Sequence, residues 1–207
     1  MKSTQSVLAF VFILGFTFMK AQDIKSSKFN IIAFGGIGYV IVKNEKQPNY
    51  NLNANSAEIL LNYRINQKFG IATGIGMNEL SGSGFNSSGN FYNEKTLLKI
   101  PLLATMDYKI SENLKMIGNF GIYSQTSIKE EYLFLSNSQK DVFKGWNFGT
   151  QLGLGFVFKI YDGFNAGINY SVQSDLSNLK SNNDSGLNDK QALKNMNSVG
   201  IILSVDL

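Results

Sequence analysis

The 207-residue sequence contains no cysteine, no histidine and only two prolines, and charged residues make up 16% of it. Each shortage removes a class of molecule. Without cysteine there is no disulfide framework, no thiol nucleophile and no residue to carry a lipoprotein anchor. Without histidine, every triad or metal centre built on imidazole is excluded, and most hydrolytic mechanisms go with it. No apolar run of 18 residues occurs beyond the N-terminal leader, so a bundle of membrane-spanning helices is not expected. The basic residues are scattered. The formal charge of +4 falls to +2 without Lys2 and Lys20, leaving 17 basic against 15 acidic residues. No phosphate-tracking stripe is formed, so nucleic acid is not an expected partner.

What the chain does contain is glycine (20 residues) and aromatics (13%), a composition that fits a β-protein. Residues 1–22 have the pattern of a Sec-type signal peptide. Lys2 supplies the positive start, and Val7–Phe18 is a twelve-residue apolar stretch, too short to span. A short segment, 23–28, leads into a single domain over 29–207.

The most regular part of that domain is 96–127. Thr96, Leu98, Ile100, Leu102, Ala104, Met106, Tyr108 and Ile110 alternate with Leu97, Lys99, Pro101, Leu103, Thr105, Asp107 and Lys109. Period-2 alternation marks a strand with one apolar and one polar face. Fifteen residues is long against the usual 5–6 or so, and more than the roughly 9–11 that cross a bilayer obliquely. Similar runs occupy 29–42, 55–66, 69–80, 114–127, 145–160, 164–179 and the C-terminal segment. Their connections alternate long and short, with loops expected at 43–54, 81–95, 128–144 and 180–193 and tight turns at 66–68, 111–113 and 161–163. An even number of strands, closed on itself, leaves no open edge. The expected fold is therefore all-β: an eight-stranded antiparallel up-and-down transmembrane β-barrel with both ends on the short-turn side. Tyr63, Phe69, Tyr108, Phe158, Tyr161 and Phe164 flank the three tight turns as one aromatic girdle would.

Alternation alone does not say which face points outward, because a soluble lipocalin-like barrel alternates too. Volume distinguishes the two. An eight-stranded bore is just wide enough for side chains to fill it. The polar face carries most strand glycines, among them Gly36, Gly38, Gly70, Gly74, Gly76, Gly121, Gly149, Gly153, Gly155, Gly167 and Gly200, whereas the apolar face carries the bulky residues. The small side chains suit the lumen and the large apolar ones suit lipid. This register puts Arg64, Asp107, Lys109, Lys115, Lys159 and Asp206 in the lumen near the short-turn end, with Glu58, Lys99 and Asp175 higher. Buried charges need partners, so a hydrogen-bonded plug is expected instead of an open pore. Pro101 lacks a ladder donor in mid-strand, and a bulge or a missing hydrogen bond is expected beside it.

The stretch Leu98–Tyr108, LKIPLLATMDY, resembles the (L/E)-x-I-P-L-L-x-x-Y signature of the PorT-like outer-membrane β-barrel family. The leader, the eight-strand plan, the GWNFGTQLGLGFVF run at 145–158 and the strand-like C-terminus extend the resemblance across about 29–207. It implies a small outer-membrane barrel in a Gram-negative cell. Members with assigned roles assist protein secretion, and no catalytic residues carry over. Insertion by the barrel-assembly machinery follows from the same resemblance, although the last residue is Leu207 where such barrels commonly end in Phe or Tyr.

The expected function is thus a non-enzymatic, porin-like barrel in contact with outer-membrane lipid. It would act through its external loops or as accessory to an envelope or secretion complex, with periplasmic termini and no cofactor. The alternatives are a soluble periplasmic lipocalin-like barrel holding a small hydrophobic ligand, or a narrow transport barrel. The carboxylates Glu130, Glu131, Asp141, Asp184 and Asp189 lack the D-x-D-x-D-G spacing of a calcium loop and are expected to be solvated loop charges, not metal ligands.

Overall fold

The computed structural model describes residues 28–87, 89–182 and 189–207. The expected leader, nearly all of 23–28, and Asp184 lie outside them. Eight long strands carry the fold: β1 (Phe29–Asn44), β2 (Tyr50–Arg64), β3 (Phe69–Asn86), β4 (Gly89–Lys109), β5 (Leu114–Phe134), β8 (Trp146–Tyr161), β9 (Phe164–Asp175) and β11 (Lys190–Asp206). Three short pieces, β6 (Ser138–Lys140), β7 (Phe143–Lys144) and β10 (Leu179–Ser181), lie between them. Each long strand pairs antiparallel with the next, and β11 pairs back onto β1, which closes the ring. Asn30 stands opposite Asp206 and Phe29 opposite Tyr63, so both described ends lie beside the tight turn after β2. No helix occurs among the described residues.

The side chains follow the expected faces. Ile59, Leu61 and Tyr63 on β2, Leu102, Met106 and Tyr108 on β4, and Leu152, Leu154, Phe156 and Phe158 on β8 all project outward and exposed. Glu58, Asn62, Lys99, Thr105, Gln151 and Asn165 on the same strands or their neighbours are buried inside. A soluble barrel would invert this arrangement, because exposing so many large apolar side chains to water is strongly unfavourable. In β1, where both faces are apolar, Asn30, Ile32, Val40 and Val42 point inward.

Among the described residues, the four polar segments expected as loops are mostly strand. β2 begins at Tyr50, β3 runs on to Asn86, β4 starts at Gly89, and β5 continues to Phe134. Only 45–49 and 87–88 connect the first two of these pairs. The physical cause is an inversion of the pattern along each strand. On β2, Asn51, Asn53 and Asn55 face outward while Tyr50, Leu52 and Ala54 are buried within, the reverse of the lower half. Above the lipid-facing belt the wall meets water, so its outer side is largely polar and its inner side builds a mainly apolar core. Val40, Val42, Tyr50, Leu52, Ala54, Leu80, Phe91, Leu97, Tyr132, Val142, Phe143, Leu179, Leu193 and Met196 form that core.

Two irregularities sit near this inversion. Thr96 pairs with Lys129 but Leu97 with Ser127, which leaves Ile128 as an extra, exposed residue. Tyr39 pairs with Asn197 but Ile41 with Lys194, and Asn195 there has φ +51°. Each bulge shifts the residue-number parity of the inward face above it. At Pro101 the ladder to β3 lacks the pairs between Thr73–Leu102 and Gly76–Lys99. The register is unchanged across the gap, so this is a missing hydrogen bond and not a bulge; the Thr73 hydroxyl donates to the Pro101 carbonyl at 2.8 Å.

Candidate functional site: a filled lumen and its cap

The lumen is packed in layers. At the short-turn end Asn62 donates to Asn30 (2.8 Å), Asn30 to Ser204 (3.1 Å) and Thr105 to Asn62 (2.8 Å). Below them Arg64 pairs with Asp206 and stands 3.9 Å from Asp107. A thin apolar layer of Ile32, Leu60, Ala72, Leu103, Ile117, Val157 and Ile202 follows.

The middle layer is a charged network. Lys99 forms an ion pair with Glu58 and donates to Gln151 (2.8 Å) and Gln173 (3.1 Å), while Gln151 donates back to Glu58 at 3.1 Å. Asn78 donates to Gln173 at 3.4 Å, and the Lys99 ammonium lies 5.6 Å from the Tyr123 ring centre. Asp175 accepts from Tyr123 and Gln125, both at 2.8 Å, and from the Leu193 backbone N–H at 2.8 Å. Each of these charges has a partner within the bore, as burial requires.

The structure thus brings Glu58, Lys99 and Asp175 into one layer and Arg64, Asp107 and Asp206 into another, with half-buried Lys115 beside Asp107. It does not bring in Lys109 or Lys159. Lys109 is exposed at the rim, and Lys159, its side chain 44% exposed, pairs with Asp162 of the adjoining turn. The strand ends there, and a long flexible cation reaches water more cheaply than it enters the bore.

A second buried pair lies in the cap, where no lumen charge was expected. Lys95 and Glu130 meet at 2.7 Å with side chains 1% and 0% exposed. The Phe143 N–H donates to Glu130 at 2.7 Å, and Lys95 also donates to Gln191. Gln191 donates to the hydroxyls of Tyr50 and Tyr132, which are themselves 3.0 Å apart. Asp189 is buried as well. Its carboxylate accepts from the backbone N–H groups of Glu45, Lys46, Gln47 and Lys190, so it ties the β1–β2 connection to the start of β11. Glu130 and Asp189 are therefore internal struts, contrary to the expectation of solvated loop charges. No cluster of three metal-ligating side chains occurs among the described residues. The signal for the cap was present in the alternation Phe91, Asn93, Lys95, Leu97, but the Ser/Gly/Asn content of 81–90 masked it, and the Ile128 bulge put Glu130 on the wrong parity.

Burial raises the phenol pKa of Tyr50 and Tyr132 well above the ordinary value; the Glu130 carboxylate adds to the rise. The sign follows from the folded state holding the proton more tightly than the unfolded one. Stability is fully present below the unfolded value of about 10 and declines as pH rises past it. The expected result in an alkaline titration followed at the phenolate absorbance is that exposed tyrosines ionise near their usual pH. Tyr50 and Tyr132 ionise later, in step with loss of near-ultraviolet dichroism from the cap.

The space left inside is small. A cavity between Asn44, Tyr50, Phe91, Tyr132 and Asp189 has a volume of ≈ 20 Å³, room for about one water. A closed antiparallel ring with bulky apolar side chains outward, charges inward and no open bore matches one architecture. The fold is that of outer-membrane β-barrels. Neisserial surface protein A is similar with a TM-score of 0.56 at 12% identity, covering 87% of this chain and 98% of that one. The outer membrane protein OprG of Pseudomonas aeruginosa gives 0.51 at 15% identity, covering 87% and 98%. The outer membrane protease OmpT of Escherichia coli gives 0.51 at 9%, covering 88% and 99%. No family model matches the sequence, and no curated protein matches it.

Proposed function

We propose that this chain is an outer-membrane barrel of a Gram-negative envelope that works through its β-built cap, as a non-enzymatic accessory to an envelope complex. The observation that carries the proposal is the filled lumen beneath a β-built cap with its own packed interior. A bore closed by two buried ion pairs and their amide partners leaves no route for a solute, which argues against both a transport barrel and a ligand-holding one. The cap, by contrast, presents a contiguous apolar strip to solvent. Tyr92 stands directly opposite Leu133, with Phe85 diagonal to it, and all three are exposed. The ion pairs Glu94–Lys129 and Glu131–Lys140 flank that strip. Exposed apolar patches with polar rims mark protein contacts. The side-by-side placement of both described ends and the tight turns supports periplasmic termini, and the LKIPLLATMDY stretch on β4 supports a PorT-like relationship and assembly by the barrel-insertion machinery.

The test is photocrosslinking in intact cells from single positions, Tyr92 or Leu133 on the cap and Leu102 on the lipid belt. The expected outcome is a discrete protein adduct from both cap positions and only lipid adducts from Leu102. Cap positions that yield no protein adduct would remove the accessory role.

A further inference from the structure

The outer face of the cap carries an arrangement that works against folding on its own. Lys180 on β10 stands directly opposite Lys144 on β7 and directly opposite Lys190 on β11. The three ammonium-bearing side chains form one row across three adjacent strands, all exposed, while their neighbours Phe143, Leu179 and Gln191 point inward. Like charges directly opposite one another destabilise a sheet. Among the described residues only Lys190 has a carboxylate partner, Glu45 at 3.2 Å; Lys144 and Lys180 have none. A row in which two of three adjacent lysines have no carboxylate partner among the described residues suits an anion.

Its height identifies the anion. Trp146, exposed at the cap end of the lipid belt, is two residues from Lys144, so at most about 7 Å of chain separates them. Leu176, also exposed on the belt side, is four residues from Lys180. Tryptophan marks the membrane–water interface, and the headgroup zone extends roughly 5–8 Å beyond the hydrocarbon on each side. The row therefore falls where lipid phosphates lie. We infer that Lys144, Lys180 and Lys190 form a binding site for phosphorylated headgroups of the surrounding leaflet, a site that anchors the cap to the membrane surface. This rests on the membrane reading above.

The test uses the full folded barrel in zwitterionic micelles and follows its heat-induced unfolding on an SDS gel. Phosphatidic acid is the probe lipid and inorganic phosphate the soluble control. The expected result is a rise in the unfolding midpoint with phosphatidic acid that high salt suppresses, with little change from inorganic phosphate at equal concentration. Lys144→Gln/Lys180→Gln loses the rise and Lys144→Arg/Lys180→Arg keeps it. No rise in the unmodified protein, an equal rise in the glutamine variant, or an equal rise with inorganic phosphate would overturn the site. A chain that fails to enter micelles would instead sink the membrane reading, so the two failures are distinguishable.

Discussion

Replacing Lys99 with methionine is expected to destabilise the barrel by about 3–5 kcal/mol, the usual cost of stranding one member of a buried ion pair. Glu58 would keep a charge inside the bore with only Gln151 as donor, and Gln173 would lose the ammonium that organises its carbonyl. The methionine stem fills much of the same volume, so packing loss contributes little. The double variant Glu58→Leu/Lys99→Met is expected to cost less than Lys99→Met alone, because no unpaired charge remains even though Gln151 loses both partners. Urea unfolding in detergent, read by tryptophan fluorescence from Trp146, measures both. A double variant as unstable as or less stable than the single one would show that the pair is not the source of the effect.

The second large effect is at the closure seam. A β-carbon on Gly200 would lie 1.9 Å from the Gly35 carbonyl oxygen and 2.4 Å from the Gly36 Cα, both backbone atoms of the strand that closes the ring. Nothing there can rotate away, so Gly200→Val must spread β1 from β11. The expected cost is at or above the top of the roughly 1–3 kcal/mol range for overpacking, with loss of the compact unheated band. Gly35, on the same seam but facing lipid, has nothing within 4 Å of an added β-carbon. Gly35→Ala is therefore expected to leave the gel behaviour unchanged. Equal damage from both substitutions would contradict the steric account.

The lower half of the barrel was legible because two demands agree there. Lipid requires apolar residues outside and the narrow bore requires small or paired polar ones inside. Runs such as Ala57–Tyr63 and Leu152–Phe158 are therefore apolar at every outward position and break the pattern inside only at Leu60 and Val157 of the thin apolar layer. The even strand count and the three tight turns follow from the same regularity. The cap was not legible, for reasons that can be named. Above the belt the polarity of the faces reverses, so Tyr50, Asn51, Leu52, Asn53 and Ala54 alternate as clearly as the strands below but with the opposite sense. A polar tract rich in Ser, Gly and Asn, such as 81–86, has the composition of a loop even where it pairs along its length. The bulges at Ile128 and Asn195 then break the counting, which hid the Lys95–Glu130 pair. Lys109 and Lys159 were misplaced for a simpler cause: alternation gives the face, but at a strand end a long cation turns toward water.

The most direct test of a closed, membrane-spanning barrel is the gel mobility of the detergent-extracted outer-membrane fraction, unheated against boiled. A ring with every ladder paired and its lumen filled opens only over a high kinetic barrier. The expected result is a compact, fast-running band before heating that shifts to the position of the fully unfolded chain after boiling. A single unshifted band, found in the soluble periplasmic fraction, would contradict the account and turn the barrel inside out.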